Sequence, residues 1–370
     1  MTPQMTADNK NFPRSRLEEE GSRVLGKQGR AGRATLGDVA EVAGVSRSAA
    51  ARVLLGSGGE HVRISPPTRL RIEQAARQVN YTPNRVAQQL RGVASKTIGI
   101  LLDTVNTPVM TDRLFAFERE ASAGGYRVLV GQTHGQPGAL ADYAGDFEGR
   151  GVEAILCLFD LTPERDARVV KCFGKFERVV FHGRPAWPGG YAVRVDTKAA
   201  LKLCLEHVAS RGKQRLALSL WNWEGDELMA LRRSAFEEGL ATGNREGMVW
   251  DAAAEGDGPS PEVLDRGIEV MVRQFRADAI LGLNDVWATR LILQLQKLGL
   301  KVPEDVAVLG YDNLDIASVV SPALTSIDQN HTEYARAALE LVLQVADGVA
   351  IPEAERTVTV SPKLIIREST

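Results

Sequence analysis

The sequence predicts an α/β protein: a small all-α module near the N-terminal end, then a larger body built on two parallel sheets. Three observations carry this. Beyond residue 97, short apolar runs alternate with amphipathic stretches of ten or more residues, the pattern of βαβ units whose strands are covered on both faces. Before it, residues 35–80 hold three short helical segments marked off by caps and glycines. Charge divides at the same place. Residues 1–33 carry seven Lys/Arg against four Asp/Glu and residues 34–96 nine against four, so the first 96 residues sum to +8 and the rest to −10 within a net −2. A basic module on an acidic body points to a polyanion met at one end of the molecule.

Composition bounds the rest. With 370 residues, 44% hydrophobic and 25% charged, the chain suits a globular protein of two or three domains. No run approaches the ~18 apolar residues of a membrane span, and the charged start "MTPQMTADNKNFPRSRLEEE" lacks the apolar core of a signal peptide, so a cytoplasmic protein is expected. Cys157, Cys172 and Cys204 are odd in number, widely spaced and set in apolar or helical surroundings. They read as structural thiols, not as a disulfide framework or a metal site. There is no nucleophile elbow, no Gly-rich phosphate loop and no His/Cys metal spacing, and the five histidines are scattered. An enzyme is therefore disfavoured, and no cofactor or metal is expected.

Residues 1–33 are polar, Gly- and Arg-rich and without apolar periodicity, which predicts a disordered arm. In "TLGD", Thr35 stands at an N-cap with Asp38 at the third helical position, a variant capping box opening a helix to about Ala43. Gly44 permits the positive φ of a tight turn. Ser46 caps a second helix, and Ser65 with Pro66 opens a third after the Gly-rich "GSGGEHVR". The expected strands are 98–102, 126–130, 154–158, 178–181, 215–220, 279–283 and 306–310, with helices such as 111–125 and 197–212 between them. Ligands of open α/β sheets sit beyond the carboxyl ends of strands, which makes the loops there the place to search.

Helical spacing sorts residues 46–55 into two faces. Ala50, Val53 and Leu54 form a stripe expected to pack on Val39, Ala40 and Val42; Arg47, Ser48, Ala51 and Arg52 form the opposite arc. Two guanidiniums and a hydroxyl suit the DNA major groove, where Arg binds guanine O6 and N7 together. A lone helix-turn-helix pattern also fits a small helical hairpin that binds nothing. The next segment, "NYTPNRVAQQLRG", has Pro83 forcing an extended entry, Asn84 as a cap and a stretch too short to be a stable helix alone. Val86, Ala87 and Leu90 suit a partner hinge or a minor groove, and an ordinary linker is the plainer reading.

Together, "TLGDVAEVAGVSRSAAARVL", "SPPTRLRIEQA", "NYTPNRVAQQL", "KTIGILL", "RGVEAI", "GLNDVWA", "LGYDNLDIA", "SPALTSI" and "LIIREST" resemble the bacterial lactose/galactose-repressor family over nearly everything after residue 34. The resemblance implies a helix-turn-helix headpiece over 34–82, a hinge helix and linker over 83–96, and a periplasmic-binding-protein-like core over 97–370. The core subdomains are then 97–195 plus 329–356 and 196–328 plus 357–370. Arg47, Ser48 and Arg52 fall where base readers sit, and Thr35, Ser46, Ser65 and Tyr81 where backbone contacts are expected. Leu90 takes the place of an intercalating leucine, and Leu36, Ala51, Thr68, Asn84 and Ala87 complete the DNA-facing set. In the core, Arg232, Asn284 and Asp312 match effector-binding positions, with Asp103, Asn106 and His182 also after strand ends. Trp221 and Trp223 in "SLWNWEGDE" stand where a ring face would stack on a sugar, or where a buried subdomain contact would place them.

The resemblance implies a DNA-binding regulator, a repressor in the leading reading, whose homodimer meets a near-palindromic operator and answers a carbohydrate-like effector. The ending at "LIIREST" favours a dimer over a tetramer. The sequence departs from the family at Ala49 and Ala51, where Thr and Ser are usual, so two polar contacts to DNA are expected to be missing. The competing reading is a cytoplasmic sugar-binding protein with weak or lost DNA binding.

Overall fold

The computed structural model describes residues 34–55, 64–82, 94–103, 108–134, 136, 138–161, 163–173, 176–221, 226–255 and 260–370. The chain divides into two compact units, Met1–Val93 and Ala94–Thr370. The N-terminal arm, the "GSGGEHVR" loop and the hinge segment, with Asn84, Ala87 and Leu90, lie outside the described residues, as do Asn106 and Trp223.

In the first unit, α1 (Leu36–Ala43), α2 (Arg47–Leu55) and α3 (Pro66–Gln78) enclose one small core. The capping box at Thr35 forms as expected: its amide donates to Asp38 Oδ2 at 2.7 Å and its Oγ1 accepts the Asp38 amide at 3.4 Å. Gly44 ends α1 at φ 62°, and the Ser46 hydroxyl caps α2 by accepting the Ala49 amide at 3.1 Å. Ser65 stands at the N-cap of α3, but its hydroxyl pairs with that of Thr68 at 2.9 Å and caps no amide. Pro66 and Pro67 bring no N–H, and with Pro67 at the second helical position one of the two amides a cap would serve does not exist.

The core is Val39, Ala40, Ala43, Ala50, Ile72, Ala75 and Ala76, with Val53 and Leu54 packed on it. Val42, expected in this stripe, is 47% exposed. The i, i+3, i+4 set of α1 runs through Leu36, Val39, Ala40 and Ala43, and Val42 falls outside that arc.

The second unit has two six-stranded sheets, of order β11-β5-β4-β3-β1-β2 and β12-β10-β9-β8-β6-β7. In chain order the elements are β1 (Thr97–Leu102), α4 (Pro108–Ala123), β2 (Arg127–Gln132), α5 (Ala139–Gly149), β3 (Ala154–Leu158), α6 (Pro163–Phe173), β4 (Val179–His182) and β5 (Tyr191–Val195). Next come α7 (Thr197–Ser210), β6 (Arg215–Leu220), α8 (Glu227–Gly243), β7 (Glu246–Asp251), α9 (Pro261–Ile268) and β8 (Ala279–Leu281). The chain ends with α10 (Asp285–Lys297), β9 (Ala307–Tyr311), α11 (Ile316–Val319), β10 (Thr325–Asp328), α12 (His331–Ala346), β11 (Thr357–Val360) and β12 (Lys363–Ile365). All pairings are parallel except β10 with β12.

Each of the seven expected strands forms, several displaced by one or two residues; β5, β7, β10, β11 and β12 are additional to them. The chain passes between sheets after β5, after β10 and after β11. The last passage corrects the expected boundary at 356/357: Thr357–Val360 pairs with β5, so the crossing falls after Val360. Cys157 and Cys204 are buried free thiols, that of Cys204 pushed up to about 12 by burial; Cys172 is half-buried.

Candidate functional site

In the first unit the DNA-facing candidates surround α2. Ser46, Arg47 and Ser48 are exposed, Ala51 and Arg52 half-buried, and Ala50 is wholly buried among Val39, Ile72 and their neighbours. Thus Ala50 belongs to packing, whereas Ala49 and Ala51 keep part of their surface. The hydroxyls of Thr35, Ser46 and Ser65 are each engaged locally, in the capping box, the α2 cap and the bond to Thr68. Leu36 and Tyr81 are half-buried against the core. Arg47 and Ser48 are therefore the groups this face holds out most freely, on a helix start fixed by the Ser46 cap.

The second unit gathers its polar residues between the sheets. The turn after β9 is the anchor. Asp312 has φ 109° and Asn313 φ 53°, a conformation that L residues rarely adopt and that the surroundings must enforce. They do so by four bonds: the Asp312 amide to Ile327 O at 2.8 Å, the Asn313 amide to Ser326 Oγ at 3.1 Å, the Leu314 amide to Asp285 Oδ2 at 2.6 Å, and Arg367 Nη2 to Asn313 Oδ1 at 2.7 Å. Gly310 is required here, since a Cβ would run into Asp285 Oδ1. Burial lifts the Asp285 carboxyl to about 7, the charge of Asp312 adding to it, and lifts that of Asp312 to about 6.

Around Asp312 stand residues from both subdomains. Gln329, on the crossover after β10, donates from Nε2 to Asp312 Oδ1 at 2.5 Å and accepts from Arg113 Nη2 at 2.5 Å. Arg113, on α4, also donates from Nη1 to His182 Nε2 at 2.9 Å. A guanidinium has no acceptor, so His182 Nε2 must carry its lone pair and Nδ1 the proton, which points to Tyr334 Oη at 3.0 Å. Burial and Arg113 together hold the His182 pKa well below its ordinary value, in keeping with a neutral ring. On the other side Arg232, on α8, lies 3.9 Å over the Tyr311 ring and donates to Leu283 O at 2.6 Å.

The expected cleft residues divide accordingly. Arg232, His182 and Asp312 come together. Asn284 is the N-cap of α10, its Oδ1 accepting the Trp287 amide at 2.9 Å, which leaves its NH2 group to other partners. Asp103 follows β1 and accepts the Thr133 hydroxyl at 2.6 Å. Trp221 is 9% exposed and packs edge-on against Trp287 in the core, so it offers no open ring face. Sequence reasoning missed Arg113, Gln329 and His331. Arg113 had a signal: it sits at i+4 from Val109 and i−4 from Phe117, on the buried stripe of α4, where a charge needs a reason.

Comparison with known proteins accounts for both units. The family model of bacterial regulatory proteins, lacI family, matches residues 35–84, and that of the periplasmic binding protein-like domain matches residues 205–370. The chain combines a lacI-family DNA-binding domain with a periplasmic binding protein-like domain. It is a DNA-binding transcriptional regulator with an effector-binding core.

Its LacI-family relatives include the repressor PurR of Photobacterium profundum, 24% identical over 341 residues, and the regulator KdgR of Bacillus subtilis, 26% identical over 342 residues. Each alignment covers 91% of this chain and 98% of the relative. Among solved structures, the lac repressor dimer bound to operator and the anti-inducer ONPF has a TM-score of 0.74 at 23% identity, covering 91% of this chain and 99% of that one. The cellobiose complex of the regulator CelR has a TM-score of 0.60 at 22% identity, covering 91% and 100%. These likenesses establish the LacI-family fold. No helix among the described residues is long and apolar enough to cross a membrane.

Proposed function

We propose that this protein is a dimeric cytoplasmic repressor, without enzymatic activity, that reads a near-palindromic operator and changes its operator affinity when a polyhydroxylated small molecule binds between the core subdomains. The repressor sense follows the relatives named repressors. The observation that carries the switch is Gln329: it stands on a crossover between the sheets and holds Arg113 of one subdomain to Asp312 of the other. A ligand that takes over either bond changes how the subdomains meet, provided it prefers one arrangement.

In this reading Arg47, Ser48 and Arg52 read bases, Thr35, Leu36, Ser46, Ala51, Ser65, Thr68, Tyr81 and Asn84 support the DNA contact, and Ala87 and Leu90 enter the minor groove. Arg232, Asn284, Asp312 and His182 hold the effector, with Asp103, Asn106 and Trp223 at its margins. The carbohydrate class is supported by CelR with cellobiose. Selection of bound fragments from a random DNA pool, followed by gel shifts with and without sugars, tests it. Weak binding without sequence preference in every effector state overturns the regulator and leaves a sugar-binding protein.

A further inference from the structure

Six buried side-chain nitrogen and oxygen atoms lack a hydrogen-bond partner among the described residues, and four of them belong to Arg113, Arg232 and His331: each arginine's Nε and both ring nitrogens of His331. These three residues share one neighbourhood. The charge of Arg113 acts on Asp312, on Tyr311 and on His331, that of Arg232 acts on Asp312 and Tyr311, and the His331 ring lies against the Asp312 backbone. A native fold rarely leaves such donors unused, and when it does the group needs an explanation.

The charges call for one as well. Arg113 is 1% and Arg232 7% exposed, yet among the described residues neither has a carboxylate in direct contact. Their bonded acceptors among the described residues are all neutral: the Met110 sulfur, His182, Gln329 and the Leu283 carbonyl. Each fork is oriented by a ring face, Arg113 at 4.8 Å over Tyr334 and Arg232 at 3.9 Å over Tyr311. A buried guanidinium without a direct counter-charge is costly, and the usual partner of an oriented fork is an oxyanion.

We infer that the effector of this protein is an acid: a hydroxylated monocarboxylate, of the sugar-acid class, whose carboxylate is held by Arg113 and Arg232 and the open donors beside them. This rests on the effector-binding reading of the core and names the ligand class within it. One negative charge suits the site better than two. Asp312 already offsets one guanidinium, and Asp112 adds further negative potential at Asp312 and His331, so a phosphate dianion meets more repulsion than a carboxylate. Because the arginines lie on α4 and α8, the carboxylate joins the two subdomains where a neutral sugar leaves their charges unpaired.

The test is titration calorimetry on the full-length chain, wild type and Arg113→Met, with D-gluconate and D-galacturonate, D-glucose and D-galactose, and glucose 6-phosphate. The expected result is binding of at least one carboxylate, at least tenfold tighter than the matching neutral sugar and than the phosphate ester. The expected loss in Arg113→Met is tenfold or more, with Arg113→Lys between the two. Thermal denaturation of each variant establishes that it folds, and Arg113→Lys stands in if Arg113→Met does not.

Tighter binding of a neutral sugar or of the phosphate overturns the inference, as does unchanged carboxylate affinity in the variants or no binding across the panel. Gel shifts on selected DNA keep the two readings apart. A core that answers only to a neutral sugar while operator binding responds sinks the acid and spares the regulator. Absent operator binding sinks the regulator and leaves the titration to be read on its own.

Discussion

Gln329 donates to Asp312 Oδ1 at 2.5 Å from the crossover between β10 and α12, tying the chain that links the two sheets to the carboxylate of the strained turn after β9. Its other end accepts from Arg113, so one amide bridges two buried charged groups.

Gln329→Leu keeps the bulk and removes both bonds. Leaving buried charged groups short of a partner costs about 1–3 kcal/mol, more than the net value of the bonds themselves. The expected outcome is a fall in Tm of several degrees, roughly 2–4 °C per kcal/mol in a chain of 150–250 residues and less in a longer one, together with a weaker effector response at the operator. Scanning fluorimetry and a gel shift with effector check the two effects; an unchanged Tm and response would remove Gln329 from the coupling.

Much of the fold was legible in the sequence because short-range chemistry decided it. Thr35, Asp38, Gly44 and Ser46 fix α1 and the turn by contacts three residues long, and β1, β3 and β6 read as apolar runs because both their faces are covered. Of the strands that escaped, β7, β11 and β12 are sheet edges: "EGMVWD" in β7 shows polar residues to solvent, and "TVTV" and "KLI" are too brief to carry a pattern. Their partners, β6, β5 and β10, are fixed only by long-range pairing.

The cleft followed the same division. Arg232, Asn284 and Asp312 were legible through motifs at strand ends. Arg113 looked like one more charge on an amphipathic helix, because the partners that make it unusual, His182, Gln329 and Tyr334, lie 69 or more positions away in sequence. Trp221 shows the reverse: position suggested a platform, and packing on Trp287 took the ring into the core.

Arg47 is exposed at the start of α2, and its helix is held by the Ser46 cap. If it binds a guanine edge, Arg47→Ala costs about 1–3 kcal/mol on the cognate site and relaxes preference at one base position. Repeating the DNA selection with the variant decides it: the same preference at every position assigns Arg47 to the phosphates or to neither.

Ala49 and Ala51 flank the buried Ala50 and keep partial exposure, so hydroxyls placed there leave the core undisturbed and, in the proposed reading of α2, face DNA. Ala49→Thr with Ala51→Ser is expected to tighten operator binding by about 0.5–1.5 kcal/mol per restored bond, offset in part by a lower helix propensity of some tenths of a kcal/mol. Ala50→Ser is the contrasting change, since it buries a hydroxyl among Val39, Ile72 and Ala76 and lowers headpiece stability. Operator affinity unchanged in the double variant, with its helices intact by circular dichroism, would mean that α2 meets DNA through its arginines alone.

Asp285 supplies a pH test of the turn that holds Asp312. Burial raises its carboxyl to about 7 and the charge of Asp312 adds to that, against the lowering influence of the Ser326 hydroxyl, the Leu314 amide and Arg367. An acid whose folded pKa lies above its unfolded one binds its proton more tightly in the native state. Its contribution to stability is therefore complete below about pH 4 and is lost as the pH rises through about 7. Asp312 acts in the same sense through about 6, while His182, held neutral by burial, acts in the opposite sense as the pH falls below its ordinary range.

Asp285→Asn carries a constant penalty for the bonds it changes but has no proton to lose. The difference in Tm between variant and wild type should then shift in favour of the variant between pH 4.5 and 7.5. A difference that stays flat across that range would mean that Asp285 does not titrate there, and that the strained turn at Asp312 is held by a carboxylate ionised throughout.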